Sequence, residues 1–351
     1  MKVSKSYQQQ VISKKKFIYK VNAGLRAYLE SFDREIHIPV SYADLKKFTG
    51  NFAIHDKNGK DTLWEAALYE PGFKQYLHDG LKHIYSILKT GGDTSVHQHL
   101  HVERVDYCTF GNSNPFRIKI VNDFNDNYDY FYIKQADASR IYGLELEHIL
   151  SPSRINYFVD DFTLVEEHIA GIPGDQFIQF YLQNPEFNKV RIAKEFVKFN
   201  ERCFVRLLGD MRSYNYVFDI TPDFEEVQFR IRAIDFDQQS YEGKKTLYLP
   251  QFFKENVSLV ELTLSLLSKE NIQQYQKEER TLIAQRSITS RHRLQQLLDV
   301  MSKDDIAPAD KKVQLRNELS THYQTDIFLQ CESMGDIVKQ SLKLLTEEKK
   351  K

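Results

Sequence analysis

The stretch LLGDMRSYNYVFD, Leu207–Asp219, decides how the rest of the chain is read. Asp210 follows a glycine and stands five positions before Asn215, and the run closes in an apolar, aromatic segment. Asp and Asn are turn formers, because their short side chains bond to nearby backbone. Taken alone, the stretch is a polar turn between a helix, AKEFVKFNERCFVRLL, and a strand. The next β-rich run changes that reading. YVFDITPDFEEVQFRIRAIDF folds back through a Pro-Asp turn and ends in AIDFD, Ala233–Asp237, so Asp235 leaves the end of a strand. One turn and one neighbouring strand end then bring a carboxylate, an amide and a second carboxylate together. Such hard oxygen donors suit Mg²⁺, which needs few protein ligands when phosphate and water complete its shell.

Upstream, VERVDYCTF, FRIKIV and YDYFYIK are β-rich runs parted by the turn clusters GNSNP and NDFNDN, the pattern of a three-stranded antiparallel meander. DASRIYGLELEHIL reads as a helix capped by Asp137 or Ser139 and stopped before Pro152. NYFV and TLVEEHI are two further strands, GIPGD breaks the pattern, and most of the remaining chain is helical. Residues 1 to about 95 read as mostly helical. KKKFIYKVNAGLRAYLESF has helical apolar spacing, Ser41 suits an N-cap, and FKQYLHDGLKHIYSILK carries one apolar stripe stopped by Gly91 and Gly92.

The Asp-x-x-x-x-Asn spacing, with IDFD at a later strand end, resembles the catalytic loop and metal-binding motif of the protein kinases. Within that fold the chain is most similar to the aminoglycoside phosphotransferase and choline kinase branch, whose loop usually reads HGD. The likeness runs from about Val96 to the C-terminus. It implies a bilobed α+β fold with an antiparallel five-stranded sheet and one helix in the small lobe. The implied division is a helical extension over 1–95, a small lobe and hinge over 96–168, and a helical lobe over 169–351. It also implies ATP and Mg²⁺ as cofactors, a hydroxyl-bearing substrate, and a role for each matching residue. Lys134, ending the third strand, would meet the α and β phosphates and be braced by Glu145, which shares a helix face with Ile141 and Ile149. Glu147 lies with Arg140 on a face read as solvated. Glu166, Glu167 and His168 would form the linker whose backbone meets adenine. Gly111, in TFGNSNPF, would lie in the loop covering the phosphates. Asp235 would hold Mg²⁺ and Asn215 a second ion, and Asp210 would accept or orient the proton of the attacking hydroxyl.

The sequence departs from the family pattern in three places. Leu208 stands where HGD has histidine, a position that mainly supports the loop. The phosphate-covering loop has the single glycine Gly111, and QQSYEGKKTLYLP contains no A-P-E motif. The last departure points away from an ordinary protein kinase towards a small-molecule acceptor. Two alternatives stay open on the same residues: a nucleotide-binding pseudokinase acting as an interaction module, with the N-terminal helices as docking surface for a protein partner, and nucleotidyl transfer on the same fold. Asp237 is either a third metal-side carboxylate or the start of the next loop. Lys244 and Lys245 either steer an anionic substrate or belong to a solvated loop.

Composition bounds the partners. The formal net charge is -1, so nothing global points to nucleic acid. No run approaches the roughly 18 apolar residues of a membrane span. Cys108, Cys203 and Cys331 are odd in number and far apart, which argues against a disulfide framework and for a reducing, cytoplasmic setting. His97, His99 and His101 alternate and on a strand share one side, as metal ligands can, but no Cys, Asp or Glu cluster nearby completes a site. The run Lys14-Lys15-Lys16 reads as a solvated helix start rather than a membrane or nucleic-acid contact.

Overall fold

The computed structural model describes residues 16–56, 58–93, 99–109, 113–223 and 227–348. Gly111, His97, Lys14 and Lys15 lie outside them. The architecture is mixed α+β. Its helices are α1 (Ala23–Ser31), α2 (Tyr42–Leu45), α3 (Pro71–Thr90), α4 (Ala138–Leu150), α5 (Gly174–Gln176), α6 (Lys189–Arg206), α7 (Val257–Leu266), α8 (Lys269–Thr289), α9 (Arg291–Met301), α10 (Ala309–Tyr323) and α11 (Met334–Glu348). Its strands are β1 (Gly50–His55), β2 (Asp61–Leu68), β3 (Leu100–Cys108), β4 (Phe116–Asn122), β5 (Tyr128–Gln135), β6 (Tyr157–Asp160), β7 (Thr163–Glu167), β8 (Ile172–Pro173), β9 (Tyr216–Pro222) and β10 (Val227–Ala233). They form a seven-stranded sheet of order β1-β2-β3-β4-β5-β7-β6 and a three-stranded sheet of order β10-β9-β8. The chain divides into two compact units: residues 1–20, 38–135 and 162–165, and residues 21–37, 136–161 and 166–351. No helix among the described residues is long and apolar enough to cross a membrane.

In the first unit, β1 to β5 pair antiparallel with their sequence neighbours. The strand period of two sends Phe116, Ile118 and Ile120 of β4 and Phe131 and Ile133 of β5 into the core. Leu77, Leu81, Ile84 and Leu88 form the buried stripe of α3, which ends at Gly91 in the left-handed region, φ 66°.

The expected sheet of five strands is corrected to seven. The additional strands β1 and β2 fall inside the segment read as a helical extension. Their connection carries Asn58-Gly59, with Gly59 at φ 76°, a turn that L side chains rarely adopt. The Asp56 carboxylate accepts from the backbone N–H of Asn58 and Lys60, which closes the turn. The hairpin is then held by pairing that no local pattern shows: Trp64 lies opposite Cys108 of β3 and stacks under the Arg117 guanidinium, 4.3 Å away. Farther upstream, the helix expected from Phe17 begins only at Ala23, where Asn22 caps it by accepting from Leu25 N–H at 2.8 Å. Ser41 caps α2 in a reciprocal box with Asp44.

The second unit is built around α6. Its Ile192, Ala193, Phe196, Phe199, Cys203 and Phe204 are buried, and α7, α8, α11 and β10 pack on it. The β9–β10 hairpin pairs Tyr216 with Ala233 and Phe218 with Ile231. That register sets Asn215, just before β9, against Ile234, just after β10. Ile234 N–H donates to Asn215 O at 3.0 Å. The face read as solvated on α4 is also corrected: Arg140 and Glu147 are buried, at 2% and 3% exposure. Nearly all of α4 is enclosed, and burial of its charges is offset by ion pairs, Glu147 with Arg206 and Arg140 with three carboxylates.

Candidate active site

The loop after α6 is held from several sides. Leu207 caps α6 in the left-handed region, φ 56°. Leu208 is fully buried and forms a β-bridge with Gln239. The Gln239 amide donates to the carbonyls of Arg206 at 2.6 Å and Leu207 at 3.3 Å, acceptors that a helix end leaves without intrahelical donors. Leu208 therefore supports the loop from the core, and the polar fastening comes from Gln239. Gly174 sits against the same loop: a Cβ there would overlap the Tyr216 ring and the Ser213 carbonyl. Gly174→Ala is expected to destabilise the second unit by about 1–3 kcal/mol, the usual cost of overpacking, read as a lower Tm.

Asp210 itself has φ 56°, uncommon for a residue with a side chain and more frequent at functional positions. Its N–H donates to Leu247 O, its Oδ1 accepts from Arg212 Nε at 2.8 Å, and Arg212 Nη1 reaches Glu255 at 2.8 Å. Burial pushes the Asp210 carboxyl above its ordinary value, against the pull of Arg212. Asn215 Nδ2 donates to Asp210 O at 2.7 Å and lies 3.4 Å from Asp210 Oδ2. That bond aims the amide, whose Oδ1 is left as the group able to bind a cation. Asp235 is placed by the hairpin register. Its Oδ1 accepts from Arg140 Nη1 at 2.8 Å and from Asp237 N–H at 3.1 Å, and its side chain is 32% exposed. In the second unit Asn215 thus touches Asp210 and bonds Ile234, the residue before Asp235.

The fit to Mg²⁺ rests on that donor set. Among the described residues, no group of three or more His, Cys, Asp or Glu could hold a metal. One partly open carboxylate, Asp235, and one oriented amide oxygen, Asn215, suit an ion that brings phosphate oxygens with it.

The other expected residues are described within their own units. Lys134 belongs to the first unit, where it is 5% exposed and its Nζ lies 5.4 Å from the Tyr132 ring centre. Glu145 belongs to the second unit and is fully buried. Its Oε1 accepts from Tyr157 at 2.6 Å and Arg293 at 2.8 Å. Its Oε2 accepts from Tyr28 at 2.5 Å and from Arg293 at 2.8 and 3.0 Å, and Arg34 Nε stands 3.4 Å from Oε1. Burial alone would raise the Glu145 carboxyl, but Arg293 and the two tyrosines hold it below its ordinary value. Burial beside Arg34 lowers nearby His148 to about 4, so it is neutral. Glu166 is buried against Arg140, Nε to Oε1 2.6 Å. Glu167 exchanges bonds with Asn156, and His168 comes just after β7, half-buried. His101 bonds Asp123 at 2.5 Å and the His99 ring lies 3.9 Å from that of Phe124.

Arg140, Gln239 and Arg293 carry no sequence pattern that marks them as site residues, whereas Arg212, two places after Asp210, has a local signal. The others depend on contacts between residues distant in the chain.

No family model matches the chain, and no curated protein matches it. Among solved structures it is similar to one of titin kinase and its flanking domains, at 14% identity and a TM-score of 0.28, over 71% of this chain. The chain spans about half (55%) of that structure's length.

Proposed function

We propose that the chain is a phosphotransferase that moves the γ-phosphoryl group of Mg²⁺-bound ATP to a hydroxyl, with a small molecule as acceptor. The supporting observation is the bond from Asn215 Nδ2 to the Asp210 carbonyl, set beside Asp235 by the hairpin register. Asp235 and the Asn215 carbonyl oxygen would hold the metal, which supplies charge neutralisation at the phosphates. Asp210 takes or orients the hydroxyl proton as the oxygen attacks phosphorus and the β–γ bridging oxygen leaves. Its raised pKa brings a partly buried carboxylate closer to the range in which a base works. Arg212, on Asp210, adds positive charge where the transferred group is negative.

The experiment is a thermal-shift titration with ATP, with and without Mg²⁺. At a free concentration a hundred times Kd, binding adds about 2.7 kcal/mol to stability, a clear rise in Tm. Asp235→Asn is expected to abolish the Mg²⁺-dependent part of that rise. Absence of a shift with every divalent ion tried defeats the reading. A second reading, a pseudokinase that binds nucleotide without transfer, is favoured by the Arg140 guanidinium on Asp235 and Asp237. It would show as a shift with ATP but no turnover, and no effect of Asp210 substitution.

A further inference from the structure

Three carboxylates of the second unit converge on one buried guanidinium. Arg140 Nε donates to Glu166 Oε1, and its Nη1 donates to both Asp235 Oδ1 and Asp237 Oδ1. Glu166, Asp237 and Arg140 are buried, at 5%, 8% and 2% exposure. A guanidinium stays charged in such a place and offers its donors in a fixed planar fork, so it sets the directions of the groups it binds. Asp235 and Asp237 are therefore not equivalent. Asp237 faces inward. Asp235 has one oxygen turned in, bound by Arg140 and by Asp237 N–H, while about a third of its side chain stays open.

We propose that Arg140 is a positioning residue that acts as the built-in cation of the Asp235–Asp237 pair, so that Asp235 alone of the two is offered to a metal ion arriving with a nucleotide. This rests on the phosphotransfer reading. The fixed positive charge takes up Asp237 and repels a bare dication, whereas phosphate oxygens carried with the ion overcome that repulsion. Metal and nucleotide then bind together rather than in sequence. Asp237, open between two roles on sequence grounds, becomes a partner of Arg140 and not a metal ligand.

The test uses the full chain and Mn²⁺ alone, monitored by electron paramagnetic resonance. Wild type is expected to bind the bare ion weakly. Arg140→Gln removes a unit charge 2.8 Å from the Asp235 carboxylate and is expected to tighten Mn²⁺ binding by about tenfold or more. Arg140→Lys keeps the charge though not the fork, and is expected to bind bare Mn²⁺ more weakly than Arg140→Gln does. A folded Arg140→Gln that binds Mn²⁺ no better than wild type overturns the proposal. If Arg140→Gln is unfolded without metal, Mn²⁺ is expected to restore its far-ultraviolet circular dichroism, and failure to do so also overturns it. With Mn²⁺·ATP, Asp235→Asn is expected to lose about tenfold or more in affinity and Asp237→Asn less than about threefold. An equal loss for both makes Asp237 a ligand and defeats the proposal. If wild type binds no nucleotide with any divalent ion while Arg140→Gln still gains Mn²⁺ binding, the phosphotransfer reading falls and the assignment of Arg140 stands.

Discussion

Asp210→Asn is expected to slow phosphoryl transfer by about 10²–10⁴-fold, the usual contribution of a positioned general base, while leaving the Mg²⁺·ATP-induced rise in Tm unchanged. The separation comes from the geometry. The Asn215 amide is held mainly by the backbone carbonyl of Asp210, at 2.7 Å against 3.4 Å to its carboxylate, so the substitution leaves the metal-side donors in place. Asparagine also tolerates the left-handed backbone at this position, φ 56°, better than alanine would. Turnover within about threefold of wild type would remove Asp210 from the chemistry.

The same substitution is expected to raise Tm at neutral pH. The folded protein holds the Asp210 carboxyl above its ordinary value of 3.8 through burial. Between 3.8 and that higher folded value the native state binds more protons than the unfolded chain, so stability falls as pH rises through the window. The penalty is complete above the folded value and absent well below 3.8. Asp210→Asn escapes it, so its advantage in Tm should be largest at neutral pH and vanish in acid. Phosphoryl transfer by wild type, as proposed, is expected to run the other way and rise with pH across the same window, because the base must be ionised. A gain in stability coupled to a loss of rate is what a residue kept for function at the expense of stability would show.

Much of this arrangement is legible in the sequence because it is local. The spacing of Asp210 and Asn215, the Pro-Asp turn of the hairpin and the strand ending at Ala233 together predict which groups meet. The hairpin register then delivers Asp235 to Asn215. Strands β3 to β7 and helix α4 are marked by period and by turn residues in the same way. The hairpin of β1 and β2 escapes because its Asn58-Gly59 signal sits in a segment otherwise dominated by helical spacing, and because pairing with β3 decides it. Arg140 escapes for a different reason. A charged residue on a helix is ordinarily solvated, and only the convergence of Glu166, Asp235 and Asp237, up to 97 positions away, makes its burial tolerable. The departure at Leu208 has a structural answer: the support expected from a histidine comes from burial of Leu208 and from Gln239, on the segment after Asp237.

Glu145 separates a structural from a catalytic role most sharply. The resemblance makes it the brace of Lys134, and a brace mainly affects nucleotide binding. In the second unit, however, its two oxygens accept from Arg293, Tyr28 and Tyr157, with Arg34 alongside, which ties α1, α4 and α9 together at one point. Removing one partner of a buried, hydrogen-bonded ion pair costs about 3–5 kcal/mol, because the other charge is left uncompensated. Arg293 keeps 22% side-chain exposure, so water can reach it and the lower end of that range applies. Glu145→Gln is therefore expected to lower the urea midpoint of the second unit's unfolding by an amount equivalent to about 3 kcal/mol. The pH dependence has a definite sign. The folded carboxyl sits below its ordinary value of 4.5, so its contribution is complete above 4.5 and lost as pH falls through the lower folded value. Glu145→Gln should accordingly flatten the acid limb of the stability curve, and Arg293→Met should flatten it similarly. Should Glu145→Gln leave the urea midpoint untouched and only weaken ATP binding, the carboxylate belongs to the nucleotide and not to the helices.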